Sequence, residues 1–215
     1  MKRTPPNITK ALLRIPEKDV KPASSETIRS IAMTALLLAL VYVVTAFIPI
    51  PIILPAGGGG YLNLGDAIIA AGSLLIGSPL AAFAAGGGSA LADLTVGAGH
   101  YAAVSFAIKA AMSLVIVFFS RKEKFFLYVL GVLFASLIMV GGYFVFEYFV
   151  ISPEYAITFA PFNVVQSGIN LILALLLFRP MIQTREAIRS MPEVRSFSEL
   201  QQAHEEKQAQ EDKQS

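Results

Sequence analysis

The chain contains no cysteine, so it has no disulfide framework, no thiolate nucleophile and no cysteine metal site. Charge is scarce where a soluble domain would carry it. Asp, Glu, Lys and Arg make up 15% of the 215 residues, against about a quarter in soluble globular domains. Only ten of these charges lie between Ile31 and Pro180: Asp66, Asp93, Lys109, Arg121, Lys122, Glu123, Lys124, Glu147, Glu154 and Arg179. A middle so poor in charge cannot face water all round, which excludes a soluble enzyme. The His-Glu-x-x-His and Gly-x-Ser-x-Gly motifs are missing, so nothing points to an intramembrane enzyme. The run Gly57 to Gly60 is not followed by Gly-Lys-Ser/Thr and is no phosphate loop. No His/Cys/Asp/Glu pattern suggests a metal, and nothing suggests a cofactor. The net charge of +2 carries no nucleic-acid signal.

What the chain has is apolar length. It is 55% hydrophobic, with a mean hydropathy of +0.63. A hydrocarbon core about 30 Å thick takes roughly 20 helical residues. The apolar runs at 28–48, 63–76, 79–96, 101–119, 125–150 and 157–178 predict six spans. They are continuous rather than alternating, which argues against a β-barrel. Pro49 and Pro51 end the first run. Gly77 suits the end of the second helix and Pro79 the start of the third. Lys and Arg cluster before span one, at Arg121–Lys124, and after Phe178, while loops 49–62, 97–100 and 151–156 have none. Both termini are therefore expected on the cytoplasmic side. The expected fold class is an all-α integral membrane bundle of six transmembrane helices. Residues 1–27 form a cytoplasmic extension, 28–180 the membrane domain, and 181–215 a polar tail, disordered or partly helical.

Ionisable residues inside a bilayer are costly and mark function by default. At about 1.5 Å per residue from the inner turns, Asp66, Asp93, Lys109, Asn163 and Gln166 fall in one layer of the outer half. Lys109 with Asp93 reads as a buried structural ion pair tying span three to span four. Asp66 follows Gly65 near a helix start and is either a cap or a site acid. Asn163, Gln166 and Asn170 recur on one face of span six and line a cavity. Tyr61, Tyr101 and Tyr143 sit at outer span ends, as interface anchors or as surfaces for a flat heterocycle. His100 lies in an outer loop. The four-glycine run suits a mobile lid in loop 49–62. Ala35 and Ala39 form a small-xxx-small pair, with Ala32 a turn away, able to seat another membrane helix. The candidate substrate-binding set is thus Tyr61, Asn63, Asp66, His100, Tyr101, Tyr143, Asn163, Gln166 and Asn170. By the residues alone, a stand-alone carrier with Asp66, Asp93 and Lys109 as a proton relay stays open.

Gly65-Asp66, Gly77-Ser78-Pro79, Gly86 to Asp93, Gly97, Tyr101 and Lys109 together resemble the substrate-binding S components of energy-coupling factor (ECF) vitamin transporters. The resemblance covers residues 28–180 and is nearest the riboflavin-type, pyridoxine and hydroxymethylpyrimidine group. It implies six helices with cytoplasmic termini in a bacterial cell membrane. It implies a ligand near the outer face under the loop between helices one and two. Ala32, Ala35 and Ala39 would dock a transmembrane coupling protein, and two partner ATPases would supply the energy. The chain itself would hydrolyse nothing. It would capture a small vitamin or precursor, pyridoxine or a hydroxymethylpyrimidine ahead of riboflavin, and deliver it inward by toppling in the lipid.

Overall fold

Proline and glycine set most element boundaries in the computed structural model, which describes residues 24–48, 50–53 and 59–191. The helices are α1 Ser25–Phe47, α2 Gly65–Ile76, α3 Leu80–Thr95, α4 Ala102–Ser120, α5 Phe125–Phe146 and α6 Pro153–Ser190. Gly77 closes α2 with φ of 63°, its N–H donating to the Ser73 carbonyl. That left-handed position costs glycine little. Pro79 precedes α3. Pro153 opens α6, where the Ser152 hydroxyl accepts from the Tyr155 N–H. The helical bundle falls within one compact unit, Arg29–Pro192. Of residues 1–28, only 24–28 are described, as the entry into α1.

The six expected runs match six helices, most ends shifting by no more than three residues, and three helices differ in kind or by more. A short 3-10 turn, Gly99–Tyr101, leads into α4, so the α-helix itself starts at Ala102. The helix α5 stops at Phe146 and continues as one wide π turn, Glu147–Ile151. The helix α6 starts earlier and ends later than 157–178, running through both Pro161 and Pro180. Its far end is held where Arg185 and Arg189 pair with Glu123 at 3.2 and 2.7 Å. The first part of the polar tail is therefore helix. The N-terminal extension to residue 23 and the tail beyond 191 lie outside the described residues.

The segment expected as a free loop is partly a hairpin. Strand β1, Ile50–Ile53, pairs antiparallel with β2, Gly59–Leu62, in the register Ile50 opposite Leu62 and Ile53 opposite Gly59.

Two apolar clusters hold the bundle. One joins α2, α4, α5 and α6 through Leu74, Ile116, Tyr128, Met139, Ala174 and Phe178. The other joins α1, α2 and α3 through Leu37, Val41, Ile69, Ala81, Ala84 and Ala85. The glycines of α3 bring backbones into contact. A β-carbon on Gly86 would stand 2.7 Å from the Phe106 carbonyl oxygen, and one on Gly88 2.6 Å from that of Leu38. Among the described residues, four helical segments are long and apolar enough to cross a membrane: Glu26–Phe47, Gly99–Ser120, Phe125–Ile151 and Pro153–Ser190. Their outward faces carry Leu36, Phe118, Phe126, Leu137 and Leu176, all largely exposed, as suits lipid rather than water.

Candidate functional site

At the end of the bundle where α3 turns into α4 and α5 into α6, the helices enclose a cavity of about 340 Å³. That lies within the range of small-molecule sites, roughly 300–1,000 Å³. Thr45 and Asn63 contribute from α1 and the start of α2, and Ser89 and Asp93 from α3. The turn Val96, Gly97 and Ala98 forms another side, with His100, Tyr101, Ser105 and Lys109 beside it. Tyr143 and Glu147 close it from α5 and the π turn, and Tyr155, Phe159, Phe162, Asn163 and Gln166 from α6.

The floor is a fully connected polar network. Lys109 is 1% exposed and its Nζ donates to Asp66 Oδ1 at 2.5 Å. The other Asp66 oxygen accepts from Gln166 Nε2 at 3.2 Å. Gln166 Oε1 accepts from the Asn63 N–H at 2.8 Å. Asn63 Oδ1 accepts from the Gly65 N–H at 2.7 Å and the Thr45 hydroxyl at 3.2 Å. Asn170 donates to the Asn63 and Gln166 carbonyls and accepts from the Ala67 N–H. Below, the buried hydroxyls of Ser73 and Ser113 join at 2.7 Å. In a low-dielectric interior such a network rigidifies its members because each is satisfied.

This arrangement corrects the expected ion pair. Lys109 is bonded to Asp66, and Asp93 is in no salt bridge among the described residues. Residues 66 and 73 are two turns apart on one face of α2, and 109 and 113 one turn apart on one face of α4. The two helices therefore meet through both pairs, serine with serine and aspartate with lysine. Asp66 caps nothing: Asn63 takes the first free amide of α2. Of the expected substrate set, Asn63, His100, Tyr101, Tyr143, Asn163 and Gln166 line the cavity. Asp66 and Asn170 lie beneath it as part of the floor. Tyr61 is in β2, and its side chain is outside what is described.

Glu147 is the residue that the sequence reading passed over. It is 5% exposed, whereas Phe149 and Val150 in the same turn are 79% and 63% exposed. The Tyr101 hydroxyl donates to its Oε1 at 3.2 Å. A glutamate inside an aromatic, apolar run was the available signal. Two aromatic groups stand at the cavity: Tyr101 lies 6.1 Å from Tyr143 and 5.2 Å from Phe146, and Tyr155 stacks on Phe159 at 4.3 Å. The ammonium of Lys109 sits 5.2 Å from the Tyr143 ring centre, and the Tyr143 hydroxyl is bonded to that of Ser105 at 2.8 Å.

Four buried polar atoms on this wall have no hydrogen-bond partner: Ser89 Oγ, Asp93 Oδ2, Glu147 Oε2 and Asn163 Nδ2. Buried polar atoms are nearly always paired. Three acceptor-capable oxygens and one amide donor are thus left unpaired on residues that line the cavity. Away from the cavity, the face of α1 that carries Ala32, Ala35 and Ala39 is exposed, opposite the buried Leu37 and Val41.

Residues 25–183 match the family model described as "ECF-type riboflavin transporter, S component". The chain is also 33% identical over 134 residues to an uncharacterized protein of Pyrococcus woesei, covering 62% of this chain and 88% of that protein.

Proposed function

Because the chain belongs to the family of ECF-type riboflavin transporter S components, we propose that it is the substrate-binding subunit of a vitamin importer, with the cavity as its binding site. The observation that carries this reading is a cavity of ligand size, lined by aromatic residues and by four residues that each keep a buried polar atom unpaired. All six helices would cross the membrane with both termini in the cytoplasm, as the distribution of Lys and Arg requires. The short α2 would lie within the bundle, shielded by longer neighbours, whereas α3 turns Leu80, Phe83, Leu91 and Leu94 outward. The cavity would then open outward, under the hairpin β1–β2.

The ligand is a small, flat, polar heterocycle with hydroxymethyl arms. Pyridoxine or a hydroxymethylpyrimidine fits first and riboflavin, named in the family description, next. Tyrosine and phenylalanine faces stack the ring, and Asn163 and Ser89 meet hydroxyls. A phosphorylated ligand is disfavoured, because the ammonium of Lys109 is already closed on Asp66. Energy comes from two ATPases acting through a transmembrane coupling protein, which docks on the Ala32, Ala35 and Ala39 face of α1.

Mass spectrometry of small molecules released from the purified protein tests the site. A bound vitamin or precursor is the expected finding. Calorimetry with that compound should give binding about five- to tenfold weaker for Asn163→Ala, since the ligand group it met stays buried and unpaired. Wild-type affinity in that variant would remove Asn163 from the site. Copurification of a coupling protein and two ATPases tests the transport role, and their absence at every salt and detergent condition would count against it.

A further inference from the structure

The end of the bundle opposite the cavity carries a basic surface that substrate binding does not use. There the turn between α4 and α5 meets the far part of α6. Arg121, Lys122 and Lys124 on the turn are exposed, as is Arg179 on α6. Of the acids at this end, Glu26 and Glu186 are exposed and stand on other elements than the turn. The acid of the turn, Glu123, is held by Arg185 and Arg189 at 3.2 and 2.7 Å.

The backbone of the turn sorts its charges. Glu123 has φ of 53°, the one positive φ outside glycine among the described residues. In that region the β-carbon crowds the following carbonyl oxygen, so the conformation persists only where other contacts hold it. The two arginines of α6 supply those contacts. The turn thus hands its acid to α6 and keeps its three bases on the outside.

Apolar rings flank these bases. Phe118 near the end of α4, and Phe125 and Phe126 at the start of α5, are largely exposed. The Arg121 guanidinium lies 5.4 Å from the Phe118 ring centre, so ring and charge adjoin. In a bilayer the rings belong in hydrocarbon and the bases at the level of the headgroups. Those are the two parts of one lipid, an acyl chain and an anionic headgroup, and basic residues beside a membrane span attract such headgroups. A protein approaching from water would meet the bases without the rings.

We propose that the α4–α5 turn is a docking site for an anionic phospholipid, with Arg121, Lys122 and Lys124 on its phosphodiester and the exposed phenylalanines along its acyl chain. The site is independent of what the cavity binds.

The test is native mass spectrometry of the delipidated full-length protein, titrated in detergent with dioleoylphosphatidylglycerol and with dioleoylphosphatidylcholine. The two share acyl chains and differ in net charge. The anionic lipid should bind at least about tenfold more tightly at low salt, and added salt should shrink the ratio. Neutralising the turn with Arg121→Gln, Lys122→Gln and Lys124→Gln should bring the ratio toward one. If that triple variant fails to fold by melting curve, Lys122→Gln with Lys124→Gln decides. Lys10→Gln, Arg14→Gln and Lys18→Gln remove the same charge elsewhere and should leave the ratio unchanged. Equal binding of the two lipids, an unaltered ratio in the turn variant, or an equal loss in both triple variants overturns the proposal. So does displacement of the lipid by inorganic phosphate at the same concentration, which would make this a site for free anions. Wild-type lipid binding with lost copurification of other proteins in the turn variant would make it a protein contact instead.

Discussion

At the scale of the residue, the contact between Lys109 and Asp66 governs how the site is built. Both side chains are nearly inaccessible, and their 2.5 Å contact is bonded onward through Gln166 to Asn63. Removing one partner of a buried pair leaves an uncompensated charge and typically costs about 3–5 kcal/mol. Lys109→Met should therefore lower the melting temperature in detergent sharply. Adding Asp66→Leu should recover much of the loss, because an apolar pair leaves no charge behind. Equal melting of the single variant and wild type would show that the pair is not a structural tie. The pairing was only half legible in the sequence. Counting residues from the turns puts Asp66 and Asp93 at nearly the height of Lys109, and height cannot choose between two acids. The direction of each side chain around its helix decides, and the packing of α2 on α4, seen in the Ser73–Ser113 contact, sets it.

At the scale of the element, glycine acts through packing more than through turns. Gly88 brings α3 against the backbone of α1, with Leu38 O at 2.6 Å from where a β-carbon would sit. A carbonyl cannot rotate aside as a side chain can. Gly88→Ala should destabilise the bundle by about 1–3 kcal/mol, the range of overpacking in a filled interior. Gly141 in α5 has nothing within 4 Å of that position, and Gly141→Ala should be neutral or stabilising by up to about 1 kcal/mol. Parallel melting curves of the two variants check the contrast, which would fail if both behaved alike. The hairpin offers a second element-level prediction. The strands β1 and β2 pair with each other and with no third strand among the described residues, and a lone two-stranded ribbon is marginally stable. Amide hydrogen exchange across residues 49–62 should slow when the identified ligand is added, and an unchanged rate would refute a lid.

At the scale of the whole molecule, the membrane sets what the surface can do. Large apolar side chains cover the outside of α1, α4, α5 and α6, so apolar area cannot mark a protein partner as it does in water. Close backbone approach can, and small residues permit it. Ala35→Trp should therefore leave ligand binding at wild-type strength and weaken copurification of the coupling protein. Normal assembly and full transport in that variant would overturn the docking face.

The number, type and approximate limits of the helices were readable from the chain, because apolar run length, proline and glycine act locally. So was the nearness of Asp66, Lys109 and Gln166, which bond to one another, since level along a helix follows from a constant rise per residue. The tertiary structure alone decided which acid meets Lys109, which amides of α6 form the floor rather than the wall, and that Glu147 turns inward. Those outcomes depend on the rotation of each helix about its axis and on one π turn. Packing across several helices sets both, and no single segment encodes them.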